Sequence, residues 1–555
     1  MTRAQPLASS AEADRKHHRE VLEALSGLIM GMFVAILAGT VVSTSLPRII
    51  SDLHGNQAAY TWVVTATLLA TTVSTPIWGK LADLVNRKLL VQLALVIFVI
   101  GSAMAGFSQD TNMLIGFRVV QGLGAGGLTA LVQVVMADII SPRERGKYMG
   151  LIGAVMAVGT VGGPLIGGLI TDSWGWRWNF YVALPFAIVA LLLIQRTLHL
   201  PKRAKRAVAI DSLGAVLIAA GVSLLLIWVS LAGNQFEWGS GTSWAMVVGA
   251  ALLLVLAVVV EFRVKEPIIP LTLFRNRTFV FAVVASLSIG VALFGTSVYL
   301  AQYLQLAEGH TPTEAGLLTL PMIGGLFLAS TIFGGIISRT GVWKRYMVVG
   351  AVLLVAGVFL LGTVRVDTPY WLLAIFMFLL GVGIGMTMQN LVLVTQNSLQ
   401  PTQLGAGSAS IAFFRSLGGT LGVSALGAFL GPRVTDLIKT GLTSLDPRIL
   451  QAAGGKLSGG IPNVATLPAP IRAVVESAYG HGIGDVFLIA APLTLVTLLF
   501  IALLPNRPLG TKTAVQQLAE SETHPELARE AESVLELGAN EIGGTTRLGG
   551  ERERV

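Results

Sequence analysis

Residues 79–88 read GKLADLVNRK. This polar stretch separates two apolar runs, near 60–78 and 89–107. Each run has close to the roughly 20 residues that a helix needs to cross a hydrocarbon core. The stretch closes on Arg87 and Lys88. Basic residues in short loops mark the cytoplasmic side of a membrane. The loop is therefore expected inside, with the flanking runs crossing the bilayer in opposite directions.

The same alternation continues outward along the chain. Further runs lie near 22–44, 112–136, 148–170, 180–197, 213–233, 243–262, 279–303, 315–337, 346–364, 370–394, 405–430 and 485–504. That makes about fourteen spans by the length criterion. Helices are expected because a span must satisfy its backbone polar groups within itself. The fold class is an all-α integral membrane protein. Alternate loops hold Arg143, Arg145 and Lys147, then Lys202, Arg203, Lys205 and Arg206, then Arg275 and Arg277, then Lys344 and Arg345. The loops between them hold little beyond Arg48, Arg177 and Arg365. Both termini are accordingly expected in the cytoplasm of a bacterial-type cell, with a multi-pass body in its cytoplasmic (inner) membrane. Residues 431–484 are expected as a long extracellular loop, despite Arg433, Lys439, Arg448, Lys456 and Arg472. Within it, Ile471, Val474, Val475, Ala478 and Tyr479 share one face of a helix. Such a helix lies on the membrane surface or packs against neighbouring helix ends.

Composition agrees. Hydrophobic residues make up 53% of the 555 and charged residues 12%, where soluble domains carry about 25% charged. Mean hydropathy is +0.73. The net charge of +8 sits in the short loops, so it reads as a topology signal and not as a nucleic-acid surface. With no cysteine, thiolate metal sites and Cys nucleophiles are excluded. His54, His199, His310 and His481 are scattered among loops, which gives no enzyme site or metal cluster.

A weak internal repeat is visible: GGIISRTGVWKR (334–345) follows the tenth span as GKLADLVNRK follows the second. Repeated bundles are a transporter signature. The expected division is a cytoplasmic tail (1–20), a six-helix bundle (21–200), two linker transmembrane helices (207–265), a second six-helix bundle (275–505) and a cytoplasmic tail (506–555).

These segments resemble the major facilitator superfamily, and within it the fourteen-helix drug:proton antiporters. The likeness covers about residues 25–505. GKLADLVNRK is similar to the family's loop motif Gly-x-Leu-Ala-Asp-x-x-Gly-Arg-Lys, carried by Gly79, Asp83, Arg87 and Lys88. In the family this cluster latches the halves in the outward-facing state. The resemblance implies that Asp83 acts on a helix N-terminus or a nearby Arg of the opposite face. Asn86 replaces the usual second Gly and is expected to supply the turn, since Asn tolerates positive φ. LIGFRVVQGLGAGG (114–127) places Arg118 about 9 Å inside its helix, with Gln121 on the same face. The family's matching Arg is implicated in proton transfer. GTVGGPLIGG (159–168) matches the antiporter motif through Gly159, Gly163, Pro164 and Gly167. Three glycines four apart form a packing groove, the proline permits a bend, and the match points to export. WGWRWNF (174–180), LFRNRTF (273–279), YLAQYLQ (299–305) and FFRSLGGTLG (413–422) extend the resemblance. The last sets Arg415 about 15 Å from its helix end, where a partner or an anionic or polar ligand group is expected.

One position departs from the family. LAGTVVSTSLP (37–47) has Ala38 where the family carries an Asp, the usual candidate for proton coupling or cation binding. No Asp or Glu lies deep in a span; Asp83, Asp138, Asp172, Asp211, Glu261 and Asp485 sit near the rims. The expected substrates are therefore neutral, amphipathic or anionic, and any proton coupling runs through a rim carboxylate.

Candidate cavity residues are Gln121, Gln133, Tyr299, Gln302, Gln389, Asn390 and Gln396, with Phe279, Phe294, Phe413 and Phe414 as apolar wall or lipid-facing residues. The expected function is proton-linked export of drugs or other amphipathic compounds, by alternating access. It uses no cofactor beyond the proton gradient and no nucleic-acid partner, in a monomer. Export of an endogenous lipid or metabolite is the alternative within the class. A membrane sensor or membrane enzyme is the alternative outside it.

Overall fold

The computed structural model of the chain describes residues 5–53, 57–142, 173–198, 211–443 and 467–513, apart from 234, 235, 265 and 311. It also describes isolated positions between 144 and 171, and Gln516. Among these, twelve helices are long and apolar enough to cross a membrane. Regular structure among the described residues is helical, beyond one isolated bridge between Ala232 and Phe236.

The first four helices are α1 (Gln5–Asp52), α2 (Gln57–Leu84), α3 (Arg87–Gly106) and α4 (Thr111–Ile139). Residues 5–20, expected as a polar tail, continue α1 backwards; Ala, Glu, Arg, Lys and Leu there favour helix. The span within α1 is Val21–Val42. Helix α2 covers the expected span at 60–78 but is not among the twelve, because Thr and Ser recur along it. Those hydroxyls bond helix carbonyls: Thr75 reaches Thr71 at 2.7 Å, and Thr71 reaches Gly122 of α4 at 3.1 Å. Most of the expected span at 148–170 lies outside the described residues. Then comes α5 (Ala183–Thr197). The linker region holds α6 (Ser212–Leu231) and α7 (Gly241–Glu261).

The C-terminal half contains α8 (Arg277–Gln302), α9 (Leu320–Thr340), α10 (Lys344–Gly362), α11 (Tyr370–Asn397), α12 (Leu404–Leu442) and α13 (Ala469–Leu503). The expectation of a loop over 431–484 is corrected at both ends. Helix α12 has 39 residues, about 58 Å of rise, nearly twice a ~30 Å hydrocarbon core. Its extension packs on the start of α13. Leu430, Val434, Ile471, Val475, Ala478 and Tyr479 are buried in one cluster, and Arg433 Nε meets Asp485 at 2.9 Å. The amphipathic face at 471–479 is thus a helix–helix contact that requires both helices to run on. Residues 444–466 lie outside the described residues.

Each half has its own apolar core. One is built around Leu28, Leu95, Leu128 and Ile194, the other around Phe279, Leu354, Leu380 and Val486. The halves meet where α12 packs on α2 and α4. Helix α6 lies against both α2 and α12, with Ile218, Val222 and Leu226 burying against Val73 and Phe413. Helix α7 packs on α6 and turns Leu252, Val255 and Leu256 outward, as a lipid-facing helix would.

Candidate functional site

At the end of the bundle that holds the basic loops, Asp83 joins the two halves. One carboxylate oxygen accepts from the Gly405 amide at 2.9 Å and the other from the Ala406 amide at 2.8 Å. These amides open α12, where a helix leaves its first N–H groups unpaired and carries partial positive charge. Such an end attracts a carboxylate. The approach needs small residues. A Cβ on Gly79 would strike the Ala409 side chain and come within 2.9 Å of the Gly405 carbonyl oxygen.

The loop cations divide their work. Arg87 is buried; its Nη2 lies 3.3 Å from Asp83, it pairs with Asp138 at the end of α4, and its Nε donates to the Ala82 carbonyl at 2.8 Å. Lys88 instead donates to the Gln195 carbonyl at 2.8 Å, at the C-terminal end of α5, where a cation is favoured. Asn86 differs from expectation. It is not in the left-handed region but has φ −60° and ψ 115°, and it caps α3 by accepting from the Lys88 and Leu89 amides. An Asn N-cap serves the turn without positive φ. Lys80 pairs at 2.7 Å with Glu266, which follows α7. That contact, unmarked by any sequence motif, ties the linker pair to α2.

A second layer of contacts between the halves is uncharged. Gln133 of α4 donates to Gln389 of α11 at 3.2 Å. Gln396 donates to the Gln133 carbonyl at 3.3 Å and to Ser408 Oγ of α12 at 2.7 Å. Asn390 turns back to the Met386 carbonyl of its own helix at 2.8 Å. Arg415 is half-buried, and its guanidinium makes no hydrogen bond, ion pair or ring contact with any described residue.

Other expected cavity residues lie elsewhere. Arg118 and Gln121 are buried inside the N-terminal half. Arg118 Nη1 donates to Gln121 Oε1 at 2.7 Å, and Nε to the Val63 carbonyl of α2 at 3.4 Å. Tyr299 is packed in the C-terminal core, its hydroxyl on the Val423 carbonyl. Gln302 is half-buried at the end of α8, just before a π turn over Tyr303–Ala307. Phe279 and Phe413 are buried, while Phe294 and Phe414 are half-buried.

The glycine groove of residues 159–168 receives α1. A Cβ on Gly159 would meet Ile36 at 2.8 Å, one on Gly163 would strike Thr40, and one on Gly167 would meet the Val41 carbonyl at 2.8 Å. Thr40 Oγ1 donates to the Gly159 carbonyl at 3.0 Å. Pro164 lies outside the described residues. Beyond the groove, Ser45, Thr171 and Asn179 form a buried hydroxyl–amide knot, with Asn179 Nδ2 on Thr171 Oγ1 at 2.7 Å. Only the Asn of WGWRWNF hints at it in the sequence.

The sequence matches the Major Facilitator Superfamily over residues 28–423. It is 34% identical over 493 residues to an uncharacterised MFS-type transporter of Mycobacterium tuberculosis, covering 87% of this chain and 69% of that protein. It is 35% identical over 414 residues to the multidrug transporter protein MdtP of Bacillus subtilis, covering 75% and 76%. A proton:xylose symporter, XylE, shares the fold with a TM-score of 0.58 and 14% identity, over 91% of this chain and 99% of that one.

Proposed function

This chain belongs to the major facilitator superfamily, and on that premise we propose that it exports drugs or other amphipathic small molecules across a bacterial cytoplasmic membrane by proton-coupled antiport. The transport cycle is alternating access, with the two halves rocking about a site near the midplane. In this reading the basic-loop end faces the cytoplasm, as do both termini. The unit is a monomer of fourteen spans, with α2 and the span at 148–170 joining the twelve.

The observation that carries the reading is the Asp83 bridge to Gly405 and Ala406. It crosses between the halves at one end of the bundle and can break without unfolding either core. With it closed, the cytoplasmic end is shut and the opposite end is free to open. Gly79 permits the contact, Arg87 holds Asp83 against Asp138, and Lys88 anchors the loop to α5. The groove at Gly159, Gly163 and Gly167 gives α1 a fitted track. Asp83 and Asp138 are the carboxyl groups whose surroundings change when the bridge opens, so proton coupling runs through them. MdtP is named a multidrug transporter, which favours broad substrates. Ala38, in place of the family's Asp, favours the second reading, an exporter of one endogenous lipid or metabolite.

The test is transport in proteoliposomes under an imposed pH gradient, with an amphipathic cationic, neutral and anionic dye. Gradient-driven movement that an ionophore abolishes, and that Asp83→Asn loses, supports antiport. Movement indifferent to the gradient removes the antiport reading. Strict preference for one lipid over all dyes favours the second reading.

A further inference from the structure

The two membrane arginines are in opposite situations. Arg118 has a side-chain acceptor and a carbonyl inside its own half. Arg415 has neither, nor a carboxylate among the described residues. A guanidinium is always charged and presents five donors. Left unpaired at membrane depth, it marks a ligand site by default.

Helical register gives the residues at its depth. The Gln396–Ser408 hydrogen bond pins antiparallel α11 to α12. Seven residues is close to two full turns, about 10.5 Å of rise. Seven residues back along α11 from Gln396 is Gln389; seven forward along α12 from Ser408 is Arg415. Both therefore lie at a similar depth, where α12 also packs on α8 with the Arg415 carbonyl against Gly290. The lipid face is excluded for Arg415. Ser408 and Ile411, two turns and one turn below it on the same side, are wholly buried. Gln389 Oε1 is occupied by Gln133, whereas its Nε2 has no described partner. Arg415 and the Gln389 amide nitrogen thus leave unpaired donors near this depth. Beside it, the Phe294 ring packs on Gly419 and supplies an apolar wall.

We propose that Arg415 and the Gln389 amide form the anion-binding end of the transport site, and that its substrates are amphipathic monoanions bearing a carboxylate, sulfonate or phenolate on an apolar body. The planar fork of Arg suits two oxygens at once. The site's physiological meaning rests on the exporter reading, but binding can be measured without transport.

The experiment is equilibrium binding to the purified full chain in neutral detergent, with 11-dansylaminoundecanoic acid and its methyl ester as probes. The unmodified protein is expected to bind the acid about tenfold to a hundredfold more tightly than the ester, as a charge-assisted hydrogen-bond pair provides. Arg415→Gln removes that difference, and Arg415→Lys, which keeps the charge but not the fork, restores part of it. Equal affinity of the unmodified protein for acid and ester, binding of neither, or a preference for the acid that survives Arg415→Gln overturns the proposal. Acid-selective binding with no gradient-driven movement of either probe in proteoliposomes would sink the exporter reading and leave the anion site standing.

Discussion

Asp83, at the end of α2, caps the amide of Gly405 at the start of α12, 322 positions away in sequence. The contact joins an anion to a helix N-terminus across the line where the two halves meet. Charge-assisted hydrogen bonds of this kind contribute about 1.5–3 kcal/mol, enough to bias a two-state equilibrium by tenfold or more.

Neutralising that carboxylate should open the closed end. The chain has no cysteine, so Ala137→Cys, buried against Leu404 where the halves meet, gives a single thiol. Its labelling from the basic-loop side should rise about tenfold or more in Asp83→Asn. Unchanged labelling would mean that the bridge does not hold the end shut.

Close approach at Gly79 is a separate requirement. Gly79→Val should insert atoms where Ala409 and Gly405 already stand and cost about 1–3 kcal/mol of overpacking. The expected result is the same rise in Ala137→Cys labelling, with each half's own stability little changed. A normal labelling rate would show that α2 and α12 have slack.

The arginines predict opposite stability effects. Arg118→Met leaves the Gln121 oxygen without its donor and should lower the thermal midpoint in detergent by several degrees, a cost of about 1–3 kcal/mol. Arg415→Met removes a charge with no partner and should hold or raise the midpoint without substrate. The reverse order would assign Arg415 to the scaffold.

Lys80 and Glu266 test the linker's role. Their ion pair is partly exposed, so either single neutralisation should cost only about 0–1 kcal/mol. Each should still change transport rate, and Lys80→Glu with Glu266→Lys should recover it. No effect of the single changes would make α6 and α7 passengers.

Much of this arrangement was legible in the residues. Apolar run lengths and basic loops placed nearly every helix, and GKLADLVNRK marked Asp83 and Gly79. What the sequence hid depends on partners distant in the chain. Nothing local says that Lys88 turns to Gln195, that Asp138 takes Arg87, or that Tyr299 spends its hydroxyl on Val423. Asn86 was misread because capping and left-handed turns use the same residue type. The stretch at 431–484 reads as loop because polar residues on a helix that runs on past its apolar stretch look like loop. Arg118 and Arg415 were equal in sequence; only the geometry shows that one is satisfied and the other is not.

Reciprocal movement of the two ends of the bundle tests the account most directly. Spin labels at Leu89→Cys and Arg345→Cys report the basic-loop end across the halves, and labels at Asn112→Cys and Asp367→Cys report the opposite end. All four sites are exposed or half-buried. On adding a transported amphipathic dye in lipid nanodiscs, alternating access predicts that the first distance lengthens while the second shortens, and that Asp83→Asn shifts both that way without dye. Two distances that stay fixed, or that change in the same direction, would contradict it.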